Sequence, residues 1–268
     1  MIRFQHCKLA ALVACAVFAV GAQAKAPADE VAKLGMTGTP LTPVGAERAG
    51  SKDGTIPEWT GGITTPPAGY KAGMHHPDPF PNDKPLFTIT SKNYKDYADK
   101  LSAGQVAMFQ KWPDWRMVVY PTRRSASYPQ RTYDMTIKNA ATGELVDDGE
   151  GVANVAEGLP FPILDKDPQK AGMEAIWNHK LKFKGVTFER WNDQAIPTAS
   201  GQYTLIRFHE FGLGLYYKPG NTLKDIHNIL LYFLEDVVSP PRLAGQVLLV
   251  HATLDSKQEP RQAWIYNP

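Results

Sequence analysis

The sequence predicts an α+β fold, with an extended arm and helices first and an antiparallel β-sheet last. Three observations carry that expectation. The last third alternates short runs of β-branched and aromatic residues with Pro, Gly and Asp clusters. The gaps between those runs are too short for crossover helices, which favours antiparallel pairing. Ahead of them, apolar residues recur at helical spacing around 94–101 and 173–181.

The chain opens on a basic start, Arg3, His6 and Lys8, followed by an apolar run from Leu9 to Val20. Ala22-Gln23-Ala24 then supplies small residues where a signal peptidase reads, so residues 1–24 have the layout of a secretory signal cleaved between Ala24 and Lys25. Twelve residues at 1.5 Å each fall short of a hydrocarbon core roughly 30 Å thick, so a spanning anchor is not expected. Leu12-Val13-Ala14-Cys15 resembles the box before a lipid-modified cysteine, an alternative that would anchor the chain at Cys15. The short apolar stretch before Cys15, and its continuation to Val20, count against that alternative.

Cleavage has two consequences. Both cysteines, Cys7 and Cys15, fall within the signal, leaving the mature chain without disulfide, thiolate metal site or cysteine nucleophile. Arg3 and Lys8 leave with no acidic residue, which brings the formal charge from +2 to zero. A neutral chain argues against nucleic-acid binding.

Residues 25–92 read as an N-terminal segment and arm. Val31 and Leu34 lie on one side of a possible short helix. Between Pro40 and Pro85 there are nine prolines and seven glycines, too many for helix or central strand. Trp59, Tyr70, Phe80 and Phe87 are spaced through this stretch like anchors, which predicts an extended arm lying on a folded body.

Residues 93–268 form the predicted α+β domain. Asn93 is expected to cap a helix with Tyr94, Tyr97, Ala98 and Leu101 inward. Helix resumes at Ala103–Trp112 and closes at Pro113. Residues 131–145 are ambiguous between strand and helix, 146–170 read as loop, and 173–183 as a helix with Met173, Ile176, Trp177 and Leu181 inward. Strands are expected at 186–189, 203–209, 229–238, 247–254 and 263–266. The sheet has apolar faces that need cover from helices or a ligand. The chain stops at Tyr266-Asn267-Pro268 directly after a strand, so an incomplete sheet is expected.

Reactive motifs are few. His75, His76 and Asp78 form a weak candidate metal site, the alternative being a loop that anchors the arm. Asp147, Asp148 and Glu150 lack calcium-loop spacing and read as a solvated turn. Arg123, Arg124 and Arg131 offer either a clamp for an anionic headgroup or surface ion pairs. No nucleophile elbow or phosphate-cradling loop is present, and no cofactor is expected. Tyr203, Leu205, Phe208, Leu231, Phe233, Leu248 and Val250 are candidates to line the inner face of a curved sheet, core packing being the alternative for each.

Several longer motifs carry a resemblance. They are Ile56-Pro57-Glu58-Trp59-Thr60-Gly61-Gly62, Tyr70-Lys71-Ala72-Gly73, His75-His76-Pro77-Asp78-Pro79-Phe80, Tyr120-Pro121-Thr122-Arg123-Arg124-Ser125, Glu174-Ala175-Ile176-Trp177-Asn178-His179 and Arg261-Gln262-Ala263-Trp264-Ile265-Tyr266-Asn267-Pro268. Together they resemble a proteobacterial periplasmic family of unknown function labelled outer-membrane lipoprotein-sorting-like. The resemblance implies a half-barrel similar to Lol-type lipid carriers, in which a sheet wraps around helices and an acyl chain. It also implies partners among outer-membrane and transporter proteins, with no established catalytic residue. Members continue beyond the Trp-x-Tyr-Asn-Pro segment, so a chain shortened at its carboxyl end is expected.

The expected function is therefore a periplasmic binding or carrier protein for a lipid or other amphipathic ligand, associated with outer-membrane or lipoprotein trafficking. Two alternatives stand beside it. One is a metal-dependent hydrolase using His75, His76 and Asp78; the other is a structural partner of an outer-membrane complex with no ligand.

Overall fold

The computed structural model describes residues 26–268. The signal cleavage at Ala24 and Lys25 and the lipidation at Cys15 lie outside the described residues. No described helix is long and apolar enough to cross a membrane.

The arm is pinned along its first half. After a single turn, α1 (Ala28–Val31), Leu34 is buried and the chain loops back on itself. Buried Arg48 organises that loop, donating to the carbonyls of Met36 at 2.9 Å, Thr39 at 2.6 Å and Leu41 at 3.2 Å, and to Gly35. Trp59 is buried as expected; its Nε1 donates to the Ala126 carbonyl at 3.2 Å, and its ring meets Tyr133 edge-on. Beyond Ile63 the anchoring weakens. Tyr70 packs on His76 within its own loop rather than on the body, because turns at Gly69 and Gly73, both at positive φ, fold the segment locally.

A small first unit follows. Strand β1 (Phe87–Thr90) pairs antiparallel with β2 (Arg116–Val119), and α2 (Ala103–Lys111) lies between them in sequence. Ile89, Tyr94 and Phe109 form their core. Ser102 and Gln105 make a reciprocal capping box on α2, at 3.2 and 2.9 Å. The helix expected at Asn93 is corrected. Asn93 Oδ1 accepts from Thr90 N at 2.7 Å and its Nδ2 donates to Thr88 O, closing a turn instead of capping. Residues Tyr94–Lys100 wind as tighter 3₁₀ turns.

The ambiguous stretch is helix α3 (Gln130–Thr142). Its inward stripe is Thr132, Tyr133, Thr136, Asn139 and Ala140, so the alternating Tyr133, Met135 and Ile137 do not mark a face. Polar groups on that stripe hold the following loop. Asn139 Nδ2 donates to Ala156 O and Leu159 O, and Thr136 Oγ1 accepts from Leu159 N at 3.0 Å. A short hairpin, β3 (Glu144–Val146) with β4 (Gly151–Ala153), interrupts the expected loop. Helix α4 (Pro168–Lys180) begins earlier than expected because Asp167 accepts from Gln169 N and Lys170 N ahead of Pro168. Trp177 and Leu181 are buried, but Ile176 is 60% exposed. One residue is about 100° around a helix, so Glu174, one turn from Trp177, takes the inward place.

Five strands complete the fold: β5 (Thr187–Pro197), β6 (Tyr203–Leu213), β7 (Ile229–Ser239), β8 (Val247–Thr253) and β9 (Gln262–Tyr266). They form one open antiparallel sheet in chain order, as expected. The helices do not layer over its faces. Trp177, Leu181, Phe161 and Tyr216 pack with Ile226 and Leu254 at one end of the sheet, and the other end projects, leaving Trp191, Tyr203, Ile265 and Tyr266 exposed.

Candidate functional site

Strand alternation separates the two faces of this sheet. On one face, Phe188, Gly212, Phe233 and Val250 form a row across four strands. A Cβ on Gly212 would collide with the Phe188 ring, so glycine is what lets that ring lie across β6. The adjacent row on the same face is Arg190, Glu210, Glu235 and Leu248.

Where this face meets the segment joining α4 to β5, a cavity of about 460 Å³ opens. Its apolar walls come from Val186, Phe188, Tyr216, Tyr217, Leu231 and Phe233, and its cations are Lys180, Lys182, Lys184 and Arg190. That volume is in the range of small-molecule sites, which are mostly apolar with a few placed polar groups. The tyrosine hydroxyls are satisfied elsewhere, Tyr216 donating to Gly158 O at 2.7 Å and Tyr217 to Leu181 O. Burial pushes both phenols far above their ordinary range. Lys180 Nζ lies 3.6 Å from the Trp177 ring centroid, and burial lowers its pKa.

Beside the cavity sits a carboxyl pair. Glu210 is 3% exposed; it accepts from Arg190 Nε and from Asn192 Nδ2 at 2.7 Å. Burial works against its charge, but the bonds from Arg190, Asn192 and Glu235 outweigh that and hold Glu210 below the usual carboxylate range. Glu235 moves up, through burial and then through its bond to Glu210 and that group's charge. Glu235 is thereby biased toward its protonated form beside Glu210, and Arg190 is committed to Glu210.

Five of the expected apolar residues, Phe208, Leu231, Phe233, Leu248 and Val250, share this face, and Leu231 and Phe233 line the cavity. Tyr203 and Leu205 do not join them. They lie an odd number of residues from Phe208 along an unbroken β5–β6 ladder, so they point to the opposite face. Arg123 and Arg124 are also elsewhere. Arg123 grips Asp83 and covers the Phe80 ring, and Arg124 donates to the carbonyls of Glu47 at 2.7 Å and Arg48 at 2.9 Å. Both are spent on holding the arm. Arg131 pairs with Glu157 at 2.6 Å.

His75 and His76 are exposed, and Asp78 Oδ1 accepts from Phe80 N in a local turn. Among the described residues, no group of three or more His, Cys, Asp or Glu could hold a metal ion. Asp147 and Asp148 sit at positive φ in a turn, where Asp148 pairs with Lys257 and Asp147 lies against Asp255.

Sequence reasoning missed Lys180, Lys182, Lys184, Arg190, Glu210 and Glu235. The signal was there: lysines alternate with Leu181 and Phe183 just ahead of the first strand, and single charges interrupt otherwise apolar strands.

Residues 88–268 match a family model described as "Protein of unknown function (DUF1329)". The chain is also 43% identical over 258 residues to an uncharacterized protein of Pseudomonas aeruginosa, an alignment covering 96% of this chain and 55% of the relative. The chain thus spans just over half the length of that relative. No solved structure matches it at a significant level. The chain belongs to the DUF1329 family.

Proposed function

We propose that this DUF1329 protein is a periplasmic binding or carrier protein for an amphipathic, lipid-like ligand, working with outer-membrane or lipoprotein trafficking. The observation that carries the reading is the cavity of about 460 Å³ walled by the apolar side chains of Val186, Phe188, Tyr217, Leu231 and Phe233. Filling it removes apolar surface from water at roughly 25 cal/mol per Å², before association costs. The open sheet, with Phe188, Phe233 and Val250 in one row beside the cavity, supports a half-barrel of the Lol type as the finer description of the fold. The basic start, apolar run and Ala22-Gln23-Ala24 support export to the periplasm.

N-phenyl-1-naphthylamine, an uncharged dye that brightens in apolar surroundings, tests the cavity directly. Saturable binding is expected, weakened about tenfold (roughly 1.4 kcal/mol) by Phe233→Ala. A far-UV and thermal-melt comparison shows that the variant is folded. No saturable binding by the folded wild type, together with no lipid in organic extracts of the purified protein, overturns the reading. A second reading, a protein partner rather than a ligand carrier, draws on the exposed Trp191, Tyr203, Ile265 and Tyr266 at the free end of the sheet. Substituting those residues would then abolish capture of an outer-membrane partner and leave dye binding unchanged.

A further inference from the structure

Resting on that carrier reading, we propose that the ligand is an anionic amphiphile, its acyl chain against Phe188, Leu231 and Phe233 and its charged head at Lys180, Lys182 and Lys184. The cavity's cations are local, not a reflection of a basic chain, since acidic and basic residues nearly balance overall. No acidic residue lines the cavity.

The disposition of the cations separates binding from structure. Arg190 is paired with Glu210, as Arg123 is with Asp83, Arg131 with Glu157 and Arg207 with Asp193. Among the described residues, by contrast, no ion pair is made by Lys180, Lys182 or Lys184. Three cations within five residues repel one another, and an anion between them relieves that cost. Their position at the mouth of an apolar cavity strengthens the attraction, because part of the surrounding water is replaced by low-dielectric walls. Lys180 Nζ also lies 3.6 Å from the centroid of the Trp177 ring, and the Glu150 charge acts on it. A purely apolar ligand would use the walls and leave the lysines idle. An anion without a tail, such as free phosphate, would use the lysines and leave the walls idle.

The test compares 11-(dansylamino)undecanoic acid with its methyl ester, which has the same tail and an uncharged head. At low salt the wild type is expected to bind the acid about tenfold tighter than the ester, about what three partly exposed cations supply together. The preference should shrink as salt shortens the screening length below about 10 Å. In the triple variant Lys180→Gln/Lys182→Gln/Lys184→Gln it should disappear as acid affinity falls to that of the ester, while the corresponding triple arginine variant should keep it. Competition by dodecanoate and dodecyl phosphate then assigns the head as carboxylate or phosphate, either of which supports the proposal. Equal binding of acid and ester by the wild type, or a preference that survives in the folded glutamine variant, overturns the anionic head and leaves the carrier reading standing. If neither probe nor the uncharged dye binds, the carrier reading itself fails.

Discussion

Two groups of cations in this molecule do opposite things, and the difference shows what makes a charged side chain available to a ligand. Arg48, Arg123 and Arg124 stitch the arm to itself and to the body. Their guanidinium forks are filled by the carbonyls of residues 35–49 and by the Asp83 carboxylate. Lys180, Lys182 and Lys184 stand at the mouth of an apolar cavity with no ion pair among the described residues. A proline- and glycine-rich arm has few backbone hydrogen bonds of its own, so its carbonyls need outside donors, and arginine offers five in a fixed plane. The lysine segment borders strands whose backbone is already paired. Lys180 lies over the Trp177 ring and feels the Glu150 charge, but among the described residues none of the three lysines makes an ion pair.

Breaking the arginine side should give the largest effect. Arg48→Ala leaves several carbonyls of the first loop without a donor, at a cost of about 3 kcal/mol. A lowered midpoint in urea is expected, with protease cleavage appearing between residues 35 and 60. An unchanged midpoint would show that water replaces the guanidinium without loss. Arg124→Ala should cost less, about 2 kcal/mol, because its bonds to Ala49 and Pro57 are long, at 3.4 Å each. Limited proteolysis should then nick the arm before the sheet, and affinity for an uncharged dye should stay constant. Lost dye binding in a still-folded Arg124 variant would return that arginine to the binding site.

This contrast also explains what the sequence could and could not disclose. The strands and their antiparallel order were legible because Val, Ile, Phe and Tyr cluster between short Gly- and Pro-bearing gaps, as in Ile229–Ser239 and Val247–Thr253. Leu231 and Phe233 followed from the same pattern. Helix α3 was not legible, since its buried stripe is built from Thr132, Thr136 and Asn139, polar residues that face inward to hold the loop after it. The split of Tyr203 and Leu205 from Phe208 depends on an odd spacing, which reads easily only once the strand is known to be unbroken. The arginines drew attention as a doublet among aromatics. Whether they are free depends on carbonyls some 75 residues away in sequence, such as Glu47 and Arg48, and no local pattern records that.

The smallest expected effect concerns Arg190, the cavity cation held in an ion pair, through the carboxyl pair beside it. Glu235, raised above its ordinary value by burial and by Glu210, holds its proton more tightly in the native protein than in the unfolded chain. Its stabilising contribution is therefore complete below the unfolded pKa and is lost as pH rises through the folded one. Glu210, held low despite its burial, contributes stability above the unfolded pKa that is lost as pH falls through its folded value. The pair should thus favour the native state most near the ordinary glutamate pKa, about 4.3, and less on either side. Glu235→Gln keeps an amide donor for Glu210 and removes the titrating proton. Its melting temperature, followed from about pH 4.5 to 8, should decline less steeply than that of the wild type, with the gap opening toward neutral pH. Arg48 and Arg124 variants should run parallel to the wild type across that range, because the hydrogen bonds of their guanidinium groups go to carbonyls and a hydroxyl, which do not titrate there. Parallel profiles for Glu235→Gln as well would mean that burial beside Glu210 does not shift Glu235, leaving Arg190 between two charged carboxylates.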